Sequence, residues 1–278
     1  MPQIPFTKAH GARNDFLLTW SDAVPEGDQR DMARAICDRH SGVGADGWLI
    51  LTKPIGGEDA AHVAIRLYNA DGSDSEMSGN GTRCAAALAV EAGLARGEVR
   101  VRTGAGLKTL WHKGLRGQEH TFEMNMGAAR VDHKHYSLPL STGPLDVTIL
   151  NVGNPQCVTF VPDFTLAWRA LGEEIESHRQ FPDRTNVSFV RVVSDNKIEV
   201  RIWERGVGAT ESSGTGATGA GAAAHARGLV RSPVTVQTPS GALHLRWDAG
   251  EMYLTGPAEI AAQGAFYYGP PKIQAPET

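Results

Sequence analysis

The stretch SGNGTRCAAALAVEAGLA at residues 78–95 decides the fold, because a second stretch of the same design, SGTGATGAGAAAHARGLV, follows at residues 213–230. In each copy a serine, a glycine, a polar residue and a second glycine precede an alanine-rich run, which favours helix and ends near a glycine. Ser78 and Ser213 are separated by close to half of the 278 residues. A duplicated unit is the economical explanation.

Each copy is also a candidate anion site. The first residues of a helix carry backbone N–H groups without intrahelical partners, and the helix dipole adds positive potential there. In each copy a serine hydroxyl stands at the start of the predicted helix. We therefore expect two half-sites to face one anionic ligand.

Most of the remaining chain has strand patterns, and two further helices are predicted over residues 28–40 and 165–178. The strand patterns lie at residues 3–8, 16–20, 48–52, 62–69, 98–103, 107–113, 120–127, 145–153, 187–193, 196–208, 234–239, 242–247 and 252–257. The two Ala/Gly helices almost lack bulky side chains, so they fit where a surrounding sheet approaches closely. The sequence therefore predicts an α+β fold in which each half wraps strands round a central helix.

The expected domains are an N-terminal half, residues 1–118, and a C-terminal half, residues 119–263, with the ligand cleft between them. The tail, residues 264–278, is expected to return to the N-terminal half. Whether two chains form a homodimer is left open.

Composition excludes several classes of protein. The chain is 41% hydrophobic and 21% charged with a net charge of −4, which is ordinary for a globular protein and leaves no basic footprint for nucleic acid. No apolar run approaches the roughly 18 residues that span a bilayer. Residues 1–16 show neither the long apolar core nor the cleavage site of a signal peptide, so we expect a cytoplasmic location. Three cysteines without metal-like spacing argue against a disulfide framework or a metal site.

Two other interpretations of the second glycine stretch are weaker. Residues 214–219 fit the dinucleotide fingerprint G-x-G-x-x-G, but no acidic residue follows before Asp248, and the strands arrive as hairpins. A serine hydrolase would place its nucleophile on such a turn. Residues 211–215, ESSGT, do not form the G-x-S-x-G motif of that class.

Six motifs taken together strongly resemble the diaminopimelate epimerase family, which belongs to the racemases and epimerases that use no pyridoxal phosphate. They are HGARNDF (10–16), NADGS (69–73), SGNGTRC (78–84), GNPQC (153–157), Asn186, and ERGVG with SSGTGA (204–217). The motifs come in order and span nearly the whole chain. The resemblance implies two pseudo-symmetric halves, no cofactor, and a small amino diacid as partner. It also implies inversion of one stereocentre, between L,L- and meso-diaminopimelate in the pathway to lysine and peptidoglycan precursors.

The resemblance also implies roles for individual residues. Positions 78 and 213 would hold the catalytic acid and base. Four asparagines, Asn14, Asn69, Asn154 and Asn186, would hydrogen-bond the ligand, and Glu204 and Arg205 would engage its distal amino acid end. The α-carboxylate would accept hydrogen bonds at the two helix N-termini, from Gly79, Asn80, Gly214 and Thr215.

The sequence departs from the family pattern at the catalytic positions. The family uses two opposed thiols, and here Ser78 and Ser213 replace both. A thiol ionises near pH ~8.5, whereas an alkyl hydroxyl needs a strong neighbouring base. Only Glu76 and Glu211 lie two positions from a serine, and neither is clearly placed to act. In addition, Gln156 stands where a histidine is common, and Ala209 where a glutamate is.

Three explanations of the serines stay open. The chain is a hydroxyl-bearing branch with isomerase or dehydratase activity on a related acid, an epimerase with engineered Cys→Ser changes, or a non-catalytic amino-acid-binding protein. An isomerase that binds its ligand between Ser78 and Ser213 is the favoured interpretation.

Overall fold

A computed structural model describes residues 2–53 and 61–269 of the chain. The helices in these residues are α1 (Gln29–Cys37), α2 (Gly79–Glu91), α3 (Trp168–Glu176) and α4 (Gly214–Ala226), with a 3₁₀ helix at Ser21–Ala23. The strands are β1 (Gln3–Gly11), β2 (Asn14–Trp20), β3 (Gly47–Thr52), β4 (Val63–Asn69), β5 (Asp74–Ser75), β6 (Glu98–Thr103), β7 (Gly106–Arg116), β8 (Glu119–Gly127), β9 (Arg130–Leu140), β10 (Gly143–Asn151), β11 (Pro155–Phe160), β12 (Asn186–Ser194), β13 (Lys197–Glu204), β14 (Gly208–Thr210), β15 (Val234–Thr238), β16 (Gly241–Asp248) and β17 (Glu251–Tyr267).

The described strands form one continuous sheet that closes on itself. Eight strands pair in a circuit in the order β1, β2, β3, β4, β6, β7, β8 and β17, and β17 pairs back with β1. A second run leads from β17 through β16, β15, β13, β12, β11 and β10 to β9. Strand β17 therefore belongs to both the circuit and the second run, and the closed circuit is barrel-like.

The chain crosses between parallel strands in the same way in both parts. Strands β2 and β3 pair in parallel with α1 between them in sequence, and β11 and β12 do so with α3 between them. Strands β4 and β6 pair in parallel around α2, and β13 and β15 around α4. Each of the two Ala/Gly helices therefore lies on a parallel crossover that ends in the sheet.

The Ala/Gly composition of α4 is explained by how closely the sheet approaches it. A Cβ on Gly221 would lie 2.5 Å from Leu245 Cδ2, and a Cβ on Gly219 would lie 2.9 Å from Gln156 Cγ. Neither distance leaves room for a methyl group. Helix α2 is equally enclosed, since every residue from Gly79 to Ala89 is buried. Residues of α2 belong to one hydrophobic core cluster and residues of α4 to another.

The predicted α+β class is wrong. Strands hold 51% of the described residues and helices 18%, and the strands close into a barrel-like sheet rather than wrapping round one central helix in each of two halves. The two glycine-rich helices are conspicuous in the sequence but only 13 residues long each. The closure depends on pairings between distant strands, such as β1 with β17, which local patterns do not reveal.

The division into halves stays a prediction. Its boundary, after residue 118, lies in the turn between β7 and β8. In the tail, β17 continues to Tyr267 and pairs with β1, so that Gly264 lies opposite Phe6. Residues 270–278 of the predicted tail lie outside the described residues. Within the described ranges, no helix combines the length and the apolar character needed to cross a membrane.

Candidate active site

One cleft of about 1320 Å³ brings together the residues that the sequence predicted for the site. Its walls come from the loop after β1, the ends of β4 and β13, the loop before β11, and the first turns of α2 and α4. The predicted residues that line it are Asn14, Asn69, Ser78, Gly79, Asn80, Asn154, Asn186, Glu204, Arg205, Ser213, Gly214 and Thr215. The roles of these residues stay predictions.

The N-termini of α2 and α4 meet at the floor of this cleft. Ser78 and Ser213 are the N-cap residues, and their hydroxyl oxygens accept from the backbone N–H of Gly81 at 3.1 Å and of Gly216 at 3.2 Å. A Cβ built on Gly214 would lie 3.5 Å from Gly79 Cα, so the two helix starts are in near contact. The serines cap the third N–H of each helix, which leaves the first two free of intrahelical partners.

Ser213 has a carboxylate partner that the sequence analysis did not identify. Its hydroxyl donates to Glu204 Oε2 at 3.0 Å, and Glu204 is the last residue of β13, nine positions earlier. Burial raises the pKa of the Glu204 carboxyl above its ordinary value, and the hydrogen bond from Ser213 opposes this. Glu204, predicted for the distal end of the ligand, thus lies beside a predicted catalytic position. A buried carboxylate with a raised pKa is a stronger base than an ordinary one.

Ser78 lies in a different environment. It is half-buried, and none of its hydrogen bonds among the described residues involves a carboxylate. Glu76 lines the cleft and is exposed. Glu211, the other acid considered from sequence, accepts from the Ser240 hydroxyl at 2.9 Å instead. The two serine positions are therefore chemically unequal.

Two of the predicted asparagines are held by neighbouring cleft residues. Asn14 Nδ2 donates to Asp46 Oδ2 at 2.7 Å, and Asn14 Oδ1 accepts from Asn80 Nδ2 at 3.1 Å. Asn69 Nδ2 donates to Ser73 Oγ at 3.0 Å. These contacts fix the amides at the wall formed by β2 and β4, and they add Asp46 to the site.

The opposite wall holds the other two asparagines. Asn154 Oδ1 accepts from Gln156 Nε2 at 2.7 Å, which turns the Asn154 amide nitrogen towards the Thr215 hydroxyl. Asn186 Oδ1 accepts from the backbone N–H of Arg205 at 3.1 Å. Gln156, which stands where the resemblance implies that a histidine is common, is completely buried and orients Asn154.

Glu176 anchors the loop that follows Glu204. This carboxylate, in α3, accepts from the Trp203 indole N–H at 2.7 Å and from the backbone N–H of Gly206 at 2.5 Å, and Arg184 lies 3.0 Å from it. It therefore fixes both sides of the turn at Glu204 and Arg205. The Arg205 side chain is exposed at the mouth of the cleft.

The cleft is lined by charges of both signs with an excess of acids. The charged lining residues are Arg13, Arg39, Asp46, Asp71, Asp74, Glu76, Lys108, Glu204, Arg205 and Glu211. Such a surface suits a ligand that carries ammonium groups as well as carboxylates. Lys108 and Asn125 also line the cleft, and no motif signalled them.

The three cysteines cannot replace the missing thiols. All are buried, and burial raises the pKa of both the Cys37 and the Cys84 thiol to about 12. It raises the pKa of Cys157 as well. A thiol with so high a pKa carries almost no thiolate at neutral pH. Within residues 2–53 and 61–269, no group of three or more His, Cys, Asp or Glu side chains is arranged to hold a metal ion.

Sequence comparisons with known proteins agree on one family. Its sequence profile, described as diaminopimelate epimerase, matches residues 6–131 and 148–261. A diaminopimelate epimerase of Pelotomaculum thermopropionicum is 38% identical over 95% of this chain and 99% of its own, and one of Desulforudis audaxviator is 40% identical over 93% and 98%. A probable proline racemase of Agrobacterium radiobacter, solved with bound carbonate, has the same fold, with a TM-score of 0.75 at 17% identity over 97% of this chain and 94% of its own.

Proposed function

Because this chain belongs to the diaminopimelate epimerase family and is an isomerase, we propose that it inverts one α-carbon of diaminopimelate, between the L,L and meso forms. The observation that carries the proposal is the pair of facing helix N-termini, each capped by a serine, with Glu204 hydrogen-bonded to one of them. The reaction belongs to lysine biosynthesis. The cytoplasmic location stays a prediction.

The α-carboxylate of the ligand binds between α2 and α4. Gly79 and Asn80 on one side, and Gly214 and Thr215 on the other, offer backbone N–H groups that no helical carbonyl uses. When the α-proton leaves, negative charge spreads from the α-carbon onto the carboxylate oxygens. Donors fixed in advance stabilise this charge more than that of the bound substrate, which lowers the barrier.

Ser213 and Glu204 form the base on one face of the α-carbon. The Ser213 oxygen takes the α-proton while the Ser213 hydroxyl proton passes to Glu204 Oε2, 3.0 Å away. The C–H bond is broken, its electron pair stays on the substrate, and Glu204 ends protonated. The raised pKa of Glu204 favours this transfer, because the carboxylate holds the proton more firmly than an exposed one would.

Ser78 returns a proton on the opposite face. Its hydroxyl donates to the carbanion, which forms the new C–H bond and leaves an alkoxide on Ser78. The N–H of Gly81, 3.1 Å from the oxygen, and the dipole of α2 stabilise that alkoxide until water in the cleft reprotonates it. Glu204 then releases its proton to solvent. The atoms and charges balance over one turnover.

The remaining predicted residues hold the rest of the diacid. Asn69, Asn154 and Asn186 supply amide groups, and Arg205 at the mouth of the cleft pairs with the distal carboxylate. Glu204 takes part in the chemistry in this scheme, which replaces the distal role that the family resemblance suggested for it.

Solvent exchange at the α-carbon tests the proposal. L,L-diaminopimelate is incubated with the protein in deuterium oxide, and mass spectrometry with chiral separation follows deuterium uptake and formation of the meso isomer. The Ser78→Cys, Ser213→Cys double variant is the matched control, because a helix N-terminus lowers the pKa of a thiol. Deuterium in the meso product of the native protein supports the proposal.

Two results would contradict it. If neither protein exchanges the α-proton of diaminopimelate, the ligand is a different one. Tight binding of diaminopimelate by the native protein in calorimetry, without exchange or inversion, would favour the non-catalytic interpretation that the serines left open.

A further inference from the structure

Arg83 is a completely buried arginine in the second turn of α2, and the other buried residues of this helix are uncharged. It lies three residues after Asn80 and four after Gly79, so its side chain starts on the same face as both. An arginine is almost never fully buried without charged partners. In the described residues, no carboxylate forms a salt bridge with Arg83.

The Arg83 guanidinium uses only part of its hydrogen-bonding capacity. Nε donates to the carbonyl oxygen of Pro257 at 3.0 Å, and Nη2 donates to Asn80 Oδ1. Nη1 is buried and has no partner in the part of the chain that the structure describes. A Cβ built on Gly214, the first residue of α4, would lie 3.9 Å from this nitrogen. The unpaired donor is therefore next to the start of α4.

Two glycines make room for this group. A Cβ on Gly256 would lie 3.0 Å from Arg83 Cζ, and a Cβ on Gly11 would lie 3.2 Å from Nη2. Because Gly11 and Gly256 have no side chains, strands β1 and β17 approach the guanidinium more closely than they could with larger residues at these positions. The guanidinium is enclosed at the junction of α2, α4, β1 and β17, directly behind the floor of the cleft.

The buried charge of Arg83 destabilises the protein when no anion is bound. Burial lowers the pKa of the Arg83 guanidinium to about 10, so it still carries its charge at neutral pH. The helix N-termini beside it are positive as well. Positive potential without a counter-charge accumulates at one spot, and an anion in front of Gly79 and Gly214 would compensate it.

We propose that Arg83 is a positioning residue of the carboxylate site: it fixes the amide of Asn80 and supplies the positive charge behind the two helix N-termini. Because its Nη2 holds Asn80 Oδ1, the Asn80 amide nitrogen is turned towards Asn14 and the cleft. This inference rests on the proposed function in one respect, namely that the bound anion is the α-carboxylate. The charge then favours the enolate-like state, whose carboxylate is more negative, over the bound substrate.

Three variants separate the charge from the packing. Arg83→Met removes the charge at similar volume, and Arg83→Lys keeps it. Gly256→Ala keeps the arginine but crowds its guanidinium, since the new methyl group would lie 3.0 Å from Cζ; the methyl group would also lie 2.7 Å from Leu243 Cδ2. Gly256→Ala also decides the matter if the methionine variant does not fold.

Binding of acetate, a bare carboxylate, tests the site without reference to the substrate. Proton–nitrogen NMR follows the amide signals of Gly79 and Gly214 during the titration, with the remote Gly93 as internal reference. Native protein should show saturable shifts. The dissociation constant should rise about tenfold or more in Arg83→Met, about threefold in Gly256→Ala, and less than threefold in Arg83→Lys.

Kinetics supplies the second measurement. Arg83→Met should lower kcat for α-proton exchange about 10²-fold, a larger factor than its rise in KM, and Arg83→Lys should recover most of the loss. Absence of acetate shifts in native protein, or equal acetate affinity in native, Arg83→Met and Gly256→Ala proteins, would overturn the inference. Arginine-dependent acetate binding without any exchange of diaminopimelate would leave the inference standing and refute the proposed function.

Discussion

The proposed chemistry depends on what surrounds the hydroxyls of Ser78 and Ser213. A thiol at a helix N-terminus ionises by itself near neutral pH, whereas a hydroxyl needs a base. In the proposed mechanism Glu204, which accepts from the Ser213 hydroxyl, is that base, and Ser78 has no carboxylate partner among the described residues. The two serine positions are therefore unequal, whereas the family resemblance implies two thiols of the same kind.

Glu204→Gln should lower the rate of α-proton exchange about 10²- to 10⁴-fold, because the amide cannot accept the proton that Ser213 passes on. Mass spectrometry in deuterium oxide measures the rate. Glu211→Gln is the matched control, since Glu211 lines the same cleft but accepts from Ser240. Equal losses in the two variants would assign Glu204 a merely electrostatic role.

The pH dependence of exchange should report the same carboxyl. Glu204 must be ionised to accept a proton, and burial raises its pKa above the ordinary 4.5. Activity should therefore fall, as the pH decreases, at a pH above 4.5. A kcat/KM profile from pH 4 to 9 measures this limb. Full activity at pH 4.5 would show that Glu204 is not the base.

All the residues that the sequence predicted for the site line the cleft, but the sequence did not reveal the hydrogen bonds between them. Ser213 and Glu204 are nine positions apart, and β14 turns the chain back between them, so no local spacing signals their contact. A signal for Arg83 was present, because it is a charged residue two positions before an alanine run at the start of a helix. Its burial, however, depends on β1 and β17, which are distant in sequence.

At the scale of single elements, the small side chains of the Ala/Gly helices allow the strands to pack closely against them. Gly221→Ala should destabilise the protein by about 1–3 kcal/mol, because the added methyl group would lie 2.5 Å from Leu245 Cδ2. Urea unfolding measures the loss. In a Leu245→Ala background, where the collision is absent, the same substitution should cost less than about 1 kcal/mol. Equal costs in both backgrounds would contradict close packing as the cause.

The elements were predicted best where their signals are local. The starts of α2 and α4 follow the Ser-Gly-x-Gly pattern, and the hairpin of β6 and β7 forms around Gly104 and Ala105 as expected. Helix α3 begins at Trp168 rather than residue 165, because the N–H and hydroxyl of Thr165 both donate to Asp163. Strand β9 was not predicted, since most of its side chains are exposed and show no alternation.

At the scale of the whole molecule, the long strand β17 connects the two parts of the sheet. The first part of β17 pairs with β16 and β8, and the second part pairs with β1, so the eight-strand circuit and the second run of strands share it. Local patterns predicted most of the strands but not their closure, which requires residues 3–10 to meet residues 259–267. That long-range pairing is why the α+β class was wrong.

The same arrangement brings the N-termini of α2 and α4 together, and the central claim is that Ser78 and Ser213 act on opposite faces of a ligand bound there. The most direct test is exchange catalysed by Ser78→Ala with L,L- and meso-diaminopimelate in deuterium oxide, analysed by mass spectrometry after chiral separation. The isomer that presents its α-proton to Ser213 should gain deuterium with retention, and neither isomer should invert. Inversion at the native rate, or equal exchange of both isomers, would contradict the account.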